Sequence, residues 1–213
     1  MTQKTVFFDL DGTLTDSGEG IINCATLALE HFGLPVPSRQ EMGVFIGPPL
    51  DETFIRFGVP ADKAQEAIDV FRSRYLVTGK FENTPYPGIR ELLTTLKQQG
   101  HRLFVATSKP ETTAVEVLQK FELAAFFECI CGATFDGTRS HKADVIAYLL
   151  ERIGSPEHIL MVGDTEFDVL GAAAHGIATV GVSWGYGEVA AMEQAGAVAI
   201  AHSMEELLEY INR

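Results

Sequence analysis

The sequence predicts an α/β fold, a parallel sheet covered by helices on both faces, with a helical segment inserted after the first strand. Three observations carry this. Short apolar runs alternate with segments of helical period along most of the chain. Between about residues 16 and 84 that alternation lapses and the text is mostly helical. Several of the apolar runs stop abruptly at acids, hydroxyls or a lysine, and ligands of parallel sheets bind at the carboxyl ends of the strands.

Taken in order, residues 5–10 (TVFFDL) read as a buried strand that ends at Asp9 and Asp11, followed by Gly12 and Thr13. In the inserted segment, Ile21, Ala25, Ala28 and Phe32 share one helical face, and Ala67, Ile68, Phe71 and Tyr75 share another over 64–75. Phe45, Phe54, Phe57, Phe71 and Tyr75 read as the core of this segment rather than as a clamp for a base. Gly47-Pro48-Pro49 breaks a helix, and TDSGEG and GKFENTPYPG flank the segment as hinges. Downstream, Ile89, Leu92, Leu93 and Leu96 line a helix that Gly100 stops. Residues 102–107 are the second strand, 111–121 a helix, 127–132 the third strand and 143–153 a helix. Residues 158–163 are the fourth strand, followed by a short helix to His175, a fifth strand over 177–181 and a sixth over 198–201. Met204, Leu207, Leu208 and Ile211 face inward from a last helix.

With 46% hydrophobic residues the chain can bury a sizeable core, which excludes general disorder. Its net charge of −13, from 29 acids against 16 bases, speaks against a nucleic-acid polymer as partner but leaves room for a small anion. Cys24, Cys129 and Cys131 form no disulfide framework, which points to a reducing compartment; Cys129 and Cys131 read as core residues on one strand face. No leader-like stretch precedes the first strand and no run approaches the ~20 apolar residues of a membrane span, so no membrane association and a cytoplasmic location are expected.

The polar strand ends form four groups: Asp9 and Asp11; Thr107, Ser108 and Lys109; Lys142 at the start of a helix; and Gly163-Asp164-Thr165-Glu166-Phe167-Asp168. Singly, each has an ordinary reading as a cap, a turn residue or a solvated lysine. Together they put acids, a hydroxyl and a lysine on one rim. Acids so crowded repel unless a cation sits among them, and all-oxygen ligands suit Mg²⁺. A hydroxyl, a lysine and backbone amides beside that cation suit a phosphate. The loop 181–187 (GVSWGYG) lacks a dinucleotide-binding pattern; Trp184 and Tyr186 either touch substrate or cover the core edge.

DLDGT, Thr107, Lys142 and GDTEFD, in that order, resemble the haloacid dehalogenase superfamily of phosphohydrolases, and the resemblance covers essentially the whole chain. FDLDGTLTDS, IGPPL, VATSKP, DGTRSHK and WGYG are similar to its phosphoglycolate phosphatase-like branch, which includes enzymes described as 5′-nucleotidases. The resemblance implies a Rossmann-like core domain over 1–15 and 85–213, and a helical cap over 16–84 that supplies substrate selectivity. It implies catalytic roles for Asp9 as nucleophile, Asp11 as general acid and base, and Thr107 and Lys142 as phosphate grips, with backbone amides of Leu10 and Ser108 adding donors. Mg²⁺ would be held by Asp9, Asp11 (through its carbonyl), Asp164 and Asp168. The presence of Asp11 favours phosphoryl transfer over dehalogenation, because a departing halide needs no proton. The substrate expected is a small phosphorylated metabolite, with phosphoglycolate ahead of nucleoside monophosphates. For phosphoglycolate, Arg56, Arg72 and Arg74 are the available cap cations. A phosphomutase, a phosphate-binding protein on the same fold and a signalling receiver domain are the rivals. Receivers are about half this length and carry their acid pair adjacent.

Overall fold

The computed structural model describes residues 3–154 and 156–213 and divides into two compact units, one of residues up to Thr15 with Pro85–Arg213, the other of Asp16–Thr84. In the first, β1 (Thr5–Phe8) is a central strand of a six-stranded sheet. Its neighbours come from β4 (Arg102–Pro110), β5 (Cys129–Ala133), β6 (Ile159–Gly163), β7 (Ala178–Val182) and β8 (Ala199–Ala201), in the order β5-β4-β1-β6-β7-β8. Every pairing is parallel: Phe8 stands opposite Val105 of β4 and Val162 of β6.

Alternation along β1 explains why the sheet is covered on both faces. Val6 and Phe8 point into one apolar layer, formed with α4 (Ile89–Gln98), α5 (Glu111–Lys120) and α9 (Met204–Asn212) through Leu93, Leu96, Val117, Leu118, Leu207 and Ile211. Phe7 points the other way. It packs edge-on against Phe104 at 5.8 Å, with Val145, Ile146 and Leu149 of α6 (Lys142–Ile153) and Ala172 of α7 (Glu166–Ala173) in the same layer. A strand buried on both faces must be apolar throughout, which is the composition of VFF. Cys129 and Cys131 do share a strand face, with their sulfurs 3.5 Å apart, and all three cysteines are free.

In the sheet unit one helix escapes the sequence reading. α8 (Val189–Ala195) is a seven-residue helix that buries only Met192, against Val169 and Ile200. A single inward residue leaves no periodicity to detect. β4 also runs three residues beyond Thr107, which brings Lys109 into it.

The chain leaves the sheet unit through β2 (Thr15–Asp16) and returns through β3 (Thr84–Pro85), and these two short strands pair. The other unit contains α1 (Gly18–His31), α2 (Leu50–Arg56) and α3 (Ala64–Tyr75). Its interior is aromatic: Phe45 lies 5.0 Å from Phe54 and 4.9 Å from Phe57, and Phe71 stacks on Tyr75 at 5.0 Å. Gly47-Pro48-Pro49 separates a 3₁₀ turn over Glu41–Phe45 from α2. Arg74 forks onto Glu82 with bonds of 2.7 and 2.6 Å. Among the described residues no helix is long and apolar enough to cross a membrane.

Candidate active site

β1 ends at Asp9, whose amide still donates to Val162 O of β6 at 2.9 Å, so its side chain is delivered at a fixed height on the rim. The carboxylate is 5% exposed. Its Oδ1 accepts the Leu10 N–H at 2.7 Å and lies 2.9 Å from Lys142 Nζ. The backbone then reverses: the amides of Thr13, Leu14 and Thr15 all donate to Leu10 O, with Gly12 at φ +82° inside the turn.

Lys142, first residue of α6, reaches back under the rim. Its ammonium faces Asp9 at 2.9 Å and Asp168 at 2.7 Å as ion pairs and donates to Ala106 O at 3.0 Å. A lysine at a helix N-terminus is opposed by the macrodipole, and two carboxylates offset this. Burial alone would lower the ammonium's pKa; Asp168 and Asp9 more than reverse this, and the net shift is upward.

At the end of β6, Asp164 is 1% exposed; Oδ1 accepts from Thr13 Oγ1 at 3.2 Å and Oδ2 from the Tyr186 N–H at 2.8 Å. Asp168 is fully buried and closes a capping box on α7, its Oδ2 accepting from the Thr165 amide at 3.1 Å and hydroxyl at 2.9 Å. Glycine makes this density possible. A Cβ on Gly12 or Gly185 would run into the Asp164 carboxylate, and one on Gly163 into that of Asp168.

Asp9, Asp164 and Asp168 each offer an oxygen within 4.8 Å of the others. Burial, then the neighbouring Asp168 and Asp9 charges, pushes Asp164 well above the ordinary carboxylate range. Burial raises Asp9 as well, against the lowering effect of Lys142. When all three ionise they face one ammonium and keep two negative charges. An all-oxygen donor set with that residual charge fits a hard divalent cation.

The remaining predicted residues fall around this group. Thr107 is 1% exposed on β4 and acts to lower the Asp9 pKa; its Oγ1 accepts the Lys109 N–H at 3.2 Å. Ser108 follows it, half-buried. The Leu10 amide turns to Asp9's own carboxylate. The carboxylate of Asp11 is not among the three clustered acids; both its oxygens lie 2.5 Å from Lys109 Nζ. Lys109 was legible only as one member of a strand-end triplet. Sequence reasoning also missed the amide of Tyr186, since any residue type supplies an amide, although the flanking glycines were a readable sign of close approach. Trp184 covers the turn after β1 by donating Nε1–H to Thr13 O at 3.1 Å.

Residues 6–182 match the family model described as haloacid dehalogenase-like hydrolase. The chain is 44% identical over 209 residues to the tyrosine-protein kinase PtkA of Mycobacterium tuberculosis, covering 97% of this chain and 72% of the relative. It is also 44% identical over 184 residues to a 5′-nucleotidase of Pseudomonas aeruginosa, covering 85% of this chain and 83% of the relative. A phosphoglycolate phosphatase of Caulobacter vibrioides is 31% identical over 206 residues, with 93% and 86% covered. A predicted phosphatase from Clostridium acetobutylicum superposes with a TM-score of 0.95 at 39% identity, over 100% of this chain and 99% of that one. The chain belongs to the haloacid dehalogenase-like hydrolase family and is one of its phosphatases.

Proposed function

We propose that the protein hydrolyses small phosphomonoesters through a phosphoryl group carried on Asp9, with Mg²⁺ bound by Asp9, Asp164, Asp168 and the Asp11 carbonyl. The observation that carries this reading is the cluster of three buried carboxylates at the strand ends with a single ammonium, Lys142, against two of them. The cation, when bound, neutralises carboxylate and phosphate charge and stabilises the transition state. Asp9, oriented by the Leu10 amide and Lys142, supplies an oxygen that bonds to phosphorus as the ester P–O bond breaks. Asp11 gives its proton to the departing alkoxide, then takes one from the water that attacks phosphorus and releases Asp9 and inorganic phosphate. Thr107 and Lys142 hold the phosphoryl oxygens. Residues 16–84 act as the cap that selects the leaving group, and the cytoplasm, where three free thiols persist, is the compartment.

Within this class we place nucleoside 5′-monophosphates ahead of phosphoglycolate. Of the three arginines available to meet the carboxylate of phosphoglycolate, Arg74 is committed to Glu82, and the 5′-nucleotidase is the nearer relative of the two phosphatases compared. The test is kcat/KM across a phosphomonoester panel with Mg²⁺, using Asp9→Asn as blank. A preference for nucleoside monophosphates supports this order, a preference for 2-phosphoglycolate reverses it, and no turnover above the blank ends the hydrolase reading. The likeness to a tyrosine-protein kinase favours one second reading, transfer of the phosphoryl group to a phenol instead of water. Label passing from γ-labelled ATP to protein tyrosine, lost in Asp9→Asn, would establish it.

A further inference from the structure

We propose that Lys109 is the positioning residue for Asp11, a role that rests on the reading of Asp11 as general acid and base. Its ammonium lies 2.5 Å from both Asp11 carboxylate oxygens, and the two side chains are 2% and 12% exposed. Lysine is almost never buried to this degree without a partner, and a buried pair contributes little net stability, so the contact serves placement. The local backbone is shaped for it. The ladder between β4 and β5 shifts register between Thr107 and Pro110, and such irregularities re-aim side chains. The Thr107 hydroxyl then accepts the Lys109 amide, tying the lysine to a buried residue of the same rim. Each of the two acids at the end of β1 thus has its own ammonium, Lys142 for Asp9 and Lys109 for Asp11. The contact holds Asp11 ionised and fixed in direction; to act as the acid it takes up a proton from solvent once the anionic substrate is bound, and transfer then needs its oxygen within hydrogen-bond reach of the leaving group.

The effect must depend on the leaving group. An aryl phosphate departs without a proton, whereas an alkyl phosphate needs one. The test measures kcat/KM for 4-nitrophenyl phosphate and for adenosine 5′-monophosphate or 2-phosphoglycolate, whichever is turned over. It compares wild type, Lys109→Met, Lys109→Gln, Lys109→Arg and Asp11→Asn. The alkyl-to-aryl ratio is read on one preparation, so any misfolded fraction cancels. Lys109→Met is expected to lower that ratio about 10²-fold, the usual cost of a catalytic group misplaced by an ångström. Lys109→Gln should lower it less, Lys109→Arg should restore most of it, and Asp11→Asn should lower it at least as far as Lys109→Met. A ratio that falls in Asp11→Asn but stays at the wild-type value in both Lys109→Met and Lys109→Gln overturns the positioning role alone. A ratio unchanged in Asp11→Asn overturns the general-acid reading and this role with it.

Discussion

At the carboxyl ends of β1, β4 and β6, Asp9, Thr107, Lys109, Lys142, Asp164 and Asp168 are all between 0% and 6% exposed. In the helical unit 16–84 the arrangement is inverted. Phe45, Phe54, Phe71 and Tyr75 take the interior, Lys63, Glu66 and His31 pair on the surface, and the Arg74–Glu82 fork is about 30% exposed. The helical unit follows ordinary packing economy. The sheet rim does not: burying like charges costs free energy that their mutual contacts do not return. Side chains kept in such a place are retained for what they bind, and the contrast supports placing the proposed chemistry there without any motif.

The largest break in this contrast is Asp9→Asn. It should lower turnover by at least about 10⁴-fold, as loss of a nucleophile does, with an unchanged circular dichroism spectrum. Full activity would sink the nucleophile assignment. Next comes Lys142→Met, which strands two buried carboxylates. We expect about 10²–10³-fold loss in kcat and about 3–5 kcal/mol of lost stability, read by steady-state kinetics and denaturant unfolding.

Asp164→Asn should sharpen the contrast by separating stability from function. It removes a buried like charge, and the amide oxygen can still accept from Thr13 and Tyr186. Metal-free protein should therefore melt higher, each kcal/mol appearing as about 2–4 °C, while Mg²⁺-dependent activity collapses. The same carboxyl sets a pH dependence. Its folded pKa lies above the ordinary 3.8, so the native chain holds that proton more tightly than the unfolded one. This group's contribution is complete in acid and is lost as pH rises from about 4 through the raised range. Stabilisation by Mg²⁺ should accordingly be greater at pH 7 than at pH 5; thermal melts with and without the ion would expose the opposite trend. The smallest effect belongs to the helical unit. Arg74→Ala should cost about 1 kcal/mol or less, as partly exposed pairs do, and leave substrate preference as it was. A change in the panel's ranking would return Arg74 to the substrate.

Much of this was legible because the relevant signals are local. VFF ending in Asp9 announces a strand buried on both faces, and the helical faces around Leu93, Ile146 and Leu207 repeat at 3.6 residues. Asp164 and Asp168, four residues apart across a strand end, declare themselves too. What escaped was non-local or anonymous. Lys109 meets Asp11 across 98 positions of sequence, and the register shift that aims it leaves no mark in residue type. Asp168 reads from sequence as an acid near a metal; its further work, capping α7 while holding Lys142, needed coordinates. α8 was lost because one buried methionine in seven residues makes no period.

Gly12, Gly163 and Gly185 close on the acids so tightly that each leaves room for hydrogen alone. In a saturation screen for activity, these three positions should therefore score as intolerant as Asp9 itself, although none of them exchanges a proton or touches phosphorus. Drift at such positions would silence the enzyme while every reactive side chain survived. A descendant of this chain that had become inactive could thus keep all its acids, and its lost hydrogens would be the record of what happened.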